Sequence, residues 1–66
     1  MNTKDQNKLL AAGYTLIRKD DTPTIRIKTK SAENLEWQTL EKDFKSKASR
    51  DRRMDELLES VTTLED

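Results

Sequence analysis

The apolar residues of this chain recur first at every second position and later at every third or fourth, and that change of spacing predicts its elements. Near the start, Leu9, Leu10 and Ala12 make one apolar edge, as on a short helix over residues 4–12. Thr3 and Gln6 have the spacing of a capping box, and Gly13 is placed to end the helix in a left-handed conformation. The helix is expected to cover an edge of the core; an arm that orders on binding is the alternative.

Residues 14–19 and 24–30 are rich in β-branched and aromatic types, and Asp20, Asp21, Thr22 and Pro23 between them are turn formers, so the pair reads as a hairpin. Side chains alternate across a strand. Ile25, Ile27 and Thr29 therefore share one face, and Arg26, Lys28 and Lys30 share the other, which is expected to look outward. In the first strand Tyr14, Leu16 and Arg18 alternate with Thr15, Ile17 and Lys19, and periodicity does not choose between Leu16 and Ile17 for the face toward the helix. A hairpin alone is marginal. Residues 35–40 are accordingly expected as a third strand, with Trp37 and Thr39 on one face. A helical reading of the same residues puts Trp37, Leu40, Phe44, Lys47, Asp51, Met54, Leu58 and Val61 on a heptad seam.

Residues 40–61 predict a long helix with Leu40, Phe44, Met54, Leu58 and Val61 on one side. Its outward arc would carry Lys42, Lys45, Ser46, Ser49 and Arg53, flanked by Arg50 and Arg52. Acid-before-base pairs, Glu41 with Lys45 and Asp43 with Lys47, favour an early start; Ser46 is the later candidate cap. Asp51 falls inside the apolar arc and needs a partner, with Lys47 expected and a sheet residue such as Arg18 as the alternative. Asp55, Glu56 and Glu59 lie where the helix dipole is negative. The fold class is thus α+β: a short N-terminal helix and a three-stranded antiparallel sheet, or hairpin, packed by one long C-terminal helix. Residues 1–61 are expected to form a single small domain and 62–66 a frayed acidic tail.

Composition narrows the functions. The chain has 66 residues, 32% hydrophobic and 39% charged, so its apolar groups suffice for one thin core. It lacks Cys and His, which removes disulfides, thiolate metal sites and the usual general base. No metal, cofactor, catalytic residue, small-molecule substrate or enzymatic activity is expected, because the carboxylates, lysines and Tyr14 form no catalytic motif and Gly13 is the sole glycine. No apolar run is long enough to span a bilayer and the polar beginning lacks a signal-peptide core, so the expectation is no membrane and a cytoplasmic location.

Zero net charge conceals an asymmetry. Residues 1–54 hold all 13 Lys and Arg against eight acids, a net of +5, and residues 55–66 hold five acids and no base, a net of −5. A basic body with an acidic tail is a common layout for proteins that meet polyanions. Cations and short hydroxyls suit phosphates. Two candidate nucleic-acid-binding surfaces follow: the strand face of Arg26, Lys28 and Lys30, and the helix arc of Lys42, Lys45, Ser49, Arg50, Arg52 and Arg53. The strand face is preferred, since a β-ribbon fits the major groove of duplex DNA.

The order strand, strand, short Trp-bearing strand, helix, carried by Gly13 and Tyr14, Arg26 to Lys28, Trp37 and residues 44–53, resembles the sheet-plus-helix arm-binding domains of phage and transposon integrases. The resemblance covers about two thirds of the chain. It implies a sheet face on the major groove, with Arg26, Lys28 and Lys30 as contacts. The chain also resembles small uncharacterised proteins carried on bacterial mobile elements. The resulting expectation is a DNA-binding accessory or regulatory protein. The alternative is a protein-interaction module that uses the C-terminal amphipathic helix, either to self-associate through the seam from Trp37 to Val61 or to bind a host protein.

Overall fold

The computed structural model describes residues 2–66. Six elements follow one another: α1 (Thr3–Ala11), β1 (Thr15–Asp20), β2 (Arg26–Ser31), β3 (Asn34–Glu41), α2 (Lys47–Leu58) and β4 (Thr63–Glu65). The fold is α+β, with a four-stranded sheet in the order β3-β2-β1-β4. β2 runs antiparallel to both β1 and β3, and β4 runs parallel to β1. The sheet is therefore mixed, where three antiparallel strands were expected.

The difference lies in the last residues. Thr15 donates its amide to the Thr62 carbonyl at 2.8 Å, and Asp66 donates to the Ile17 carbonyl at 2.9 Å. Residues 62–66 thus belong to the sheet edge and are not frayed. A three-residue strand is too short to show a period, and its partner is the far end of the chain, so no local pattern announces it.

α1 forms where the apolar edge predicts it. Its cap, however, is Asn2, whose Oδ1 accepts the Asp5 amide at 2.8 Å, so Thr3 lies inside the helix and not at its cap. Gly13, at φ +96°, takes the left-handed conformation that turns the chain into β1.

The hairpin register decides which residues share a face. Leu16 pairs with Lys30, Arg18 with Lys28 and Asp20 with Arg26, while Ile17 pairs with Thr29 and Lys19 with Ile27. Directly paired residues point the same way. Both Leu16 and Ile17 are buried, because each face has a helix. Ile17 and Ile27 meet Met54 of α2, with Phe44, Leu57 and Leu58 packed around them. On the other face Gln6 of α1 reaches Lys30, and Leu10 of the same helix is buried. Ile25 precedes β2 and is half-buried, so the expected apolar face reduces to Ile27 and Thr29.

Residues 34–41 are a strand, and the helical alternative is not adopted. Pairing β3 on β2 satisfies the outer backbone groups of β2, which a helix there would leave exposed. The ladder contains two register shifts, between Ile27 and Lys28 and between Thr29 and Ser31. Since Trp37 sits in β3 and Val61, 89% exposed, lies beyond α2, the heptad seam from Trp37 to Val61 does not form.

α2 is correspondingly shorter than residues 40–61. Ser46 caps it by accepting the Ser49 amide at 3.1 Å. The earlier start fails because Glu41 is paired in the sheet and Asp43 has φ +64°, which no right-handed helix contains. Among the described residues, no helix is long and apolar enough to cross a membrane.

Candidate nucleic-acid interface

Charge is distributed differently on the two sheet faces. On the α2 face, Arg50 is only 3% exposed and donates to Asp21 and, at 3.0 Å from Nε, to Asp51. Lys47 approaches Asp21 at 3.4 Å and Lys19 approaches Asp51 at 3.6 Å. Arg53 bonds Glu41 at 2.8 Å and Glu56 at 3.0 Å. Lys19, Lys47 and Arg50 with Asp21 and Asp51 thus form one lattice between α2, β1 and the turn after β1, and Arg53 with Glu41 and Glu56 forms a second pairing of α2 with β3.

The electrostatics follow from these contacts. The Arg50 hydrogen bond holds both Asp21 and Asp51 below the ordinary carboxylate range, and Lys47 and Lys19 add to it. Burial opposes the Arg50 charge, but its bonds to the two aspartates outweigh that penalty and raise its pKa. Asp51 is paired, but its side chain is 45% exposed, so the burial expected from its place in the apolar arc is not what demands the partner. The expected Lys47 is not that partner; it reaches across to Asp21. Asp51 takes Arg50 and the sheet residue Lys19 instead.

These pairings break the helix arc as one continuous surface. Lys42 and Lys45 are exposed in the loop before α2, Ser49 stands beside the cap with its Oγ 3.1 Å from that of Ser46, and Arg52 is exposed with a long 3.5 Å contact to Ser49. Arg50 points inward and Arg53 is held by two glutamates. The predicted outward arc assumed a helix that had already begun at residue 40, and the later start breaks its continuity.

The opposite face gathers Arg18, Arg26, Lys28 and Lys30 on paired positions of β1 and β2. Asp20 is their one carboxylate neighbour within these strands. It accepts from Arg26 Nε at 3.0 Å and Nη2 at 2.7 Å, and Lys28 lies 3.7 Å away. Arg26 also donates to the Thr22 carbonyl at 2.8 Å. The Arg26 bond, aided by the Thr22 amide, lowers the Asp20 pKa.

Lys30 is not outward, contrary to expectation. It is 7% exposed, and its Nζ donates to Gln6 Oε1 at 2.9 Å, while Gln6 Nε2 donates onward to Asp66 at 3.0 Å. α1 covers this end of the face, which the alternation of β2 alone could not reveal. Arg18 and Trp37 complete the surface. The Arg18 guanidinium lies 4.6 Å from the centroid of the Trp37 ring and the Lys30 ammonium 5.7 Å. Neither residue was a candidate contact from sequence. The available signal was the pairing of Arg18 with Lys28 across the hairpin, which becomes readable only when the turn length sets the register.

The arrangement offers cations beside a π surface. Among the described residues, no cluster of three acidic, His or Cys side chains could hold a metal ion. The chain matches no family model, no curated protein and no solved structure.

Proposed function

We propose that the protein is a small nucleic-acid-binding accessory protein, with the open part of the β1–β2–β3 face as its binding surface and no catalytic role. The carrying observation is the difference in charge between the faces: α2 and its neighbours pair the cations of one with several carboxylates, whereas on the other Arg26 and Lys28 share Asp20 and Arg18 faces the Trp37 ring. A local excess of cations on a flat surface attracts phosphates by releasing condensed counterions. The role on a mobile element belongs to the same proposal.

The test is binding to nucleic acid at about 50 and 200 mM salt, where each lost phosphate contact flattens the salt dependence. An Arg18/Arg26/Lys28 triple alanine variant should lose binding, and Asp20→Asn, which frees Arg26 and Lys28, should tighten it several-fold. Salt-insensitive binding, or none, would sink the reading.

The outer strand favours a second reading. β3 is an edge without Lys or Pro, and Leu35 and Leu40 on it are exposed, so its backbone is open to pairing with β3 of a second copy. Light scattering over a wide concentration range decides this, and a constant monomer mass would remove it.

A further inference from the structure

Trp37 is the only tryptophan in the chain. It lies outside the apolar cluster of Ile17, Ile27 and Met54, on the opposite face of the sheet, and is half-buried. Arg18 and Lys30 hold their charges close to its ring. An indole in that setting is fixed in place by its cationic neighbours and keeps part of its surface in contact with solvent.

We propose that this face binds single-stranded nucleic acid, with a base stacking at Trp37 and Arg18 and flanking phosphates taken by Arg26 and Lys28. The proposal rests on the nucleic-acid reading above and narrows it. Unstacked bases are offered by single strands, and both an aromatic ring and the plane of a guanidinium accept them. A duplex presents base edges deep in a groove, which calls for side chains that project from the protein. Here they do not project. Arg26 is bound along the sheet to Asp20, Lys30 ends on Gln6, and α1 stands over one end of the face. A splayed strand can follow such a platform, whereas a rigid duplex must clear the helix.

The experiment follows Trp37 emission while the intact protein is titrated with short oligothymidylate and, separately, with a blunt hairpin duplex, at about 50 and 200 mM salt. Oligothymidylate should bind in a salt-sensitive manner, quench the emission, and bind about ten-fold more tightly than the duplex. Trp37→Ala should weaken single-strand binding about ten-fold, read by anisotropy of a labelled oligonucleotide. Should circular dichroism show that variant unfolded, Arg18→Ala serves in its place, and a several-fold loss is expected. Single-strand binding without a change in Trp37 emission overturns the stacking proposal. Equal or tighter duplex binding overturns it too, and leaves the broader nucleic-acid reading standing. No salt-sensitive binding to either ligand overturns both.

Discussion

The two faces of the sheet each bring cations of the strands or α2 into close contacts, yet they use them differently. Lys19, Lys47, Arg50 and Arg53 are matched by Asp21, Asp51, Glu41 and Glu56 beneath and beside α2. Arg18, Arg26, Lys28 and Lys30 share Asp20, the Trp37 ring and Gln6. A chain of zero net charge can therefore hold one closed face and one electropositive face. What separates them is the number of carboxylates each cation meets. A helix that buries Arg50 forces carboxylates to it, since an unpaired buried charge is costly, whereas on the other face Arg26 and Lys28, 20% and 23% exposed, share the one carboxylate of Asp20.

Five predictions probe that contrast. The largest effect is expected on the closed face, where Met54→Ala should remove about 2–5 kcal/mol of stability. A domain this small rarely has more than about 3–5 kcal/mol from its core, so urea unfolding should find this variant largely unfolded. Next, Arg50→Ala should lower the melting temperature by removing a buried side chain and the donor shared by Asp21 and Asp51, which are half-exposed and keep Lys47 and Lys19. Arg18→Ala should cost less than about 1 kcal/mol, the loss of one cation–π contact. Equal melting temperatures for these two variants would erase the distinction between lock and platform.

Lys30→Met sharpens the boundary of the open face. Because Lys30 bonds Gln6, the change should cost about 1 kcal/mol in thermal melts yet leave nucleic-acid binding nearly unchanged. A collapse of binding with stability intact would place Lys30 among the ligand contacts. The smallest effect per group is the acid dependence. Asp21 and Asp51 have folded pKa values below the ordinary 3.8, so the stability they contribute is complete above 3.8 and is lost as pH falls through the lower folded values. Melting temperature should therefore drop across that acid range. Asp21→Asn should flatten the drop, and an unchanged profile would mean that the lattice adds nothing.

The open face was legible in part. Alternation in β2 correctly put Arg26, Lys28 and Lys30 together, and the turn formers announced the hairpin. That Lys30 is covered could not be read, because α1 reaches it from far along the chain. The helix arc failed for a different reason. Glu41, Lys45, Asp43 and Lys47 have ideal helical spacing, but a favourable pair contributes only about 0.2–0.5 kcal/mol, and strand pairing at Glu41 with a left-handed Asp43 outweighs it. Asp51 is paired but half-exposed, so its place in the apolar arc overstated its burial, and the identity of its partner depended on the later helix start, which sends Lys47 to Asp21.

By itself the sequence determined the kinds of most elements and their order: a helix ending at Gly13, a hairpin and a helix presenting Met54, with a third strand preferred over a helical reading of the same residues. Those features rest on local periodicity, turn chemistry and backbone preference, which act within a few residues. Tertiary structure decided the parallel β4, the length of α2, the burial of Arg50 and Lys30, and the meeting of Arg18 with Trp37. Each of those joins residues distant in the chain, and their free energy comes from burial and pairing that exist only after the sheet has assembled.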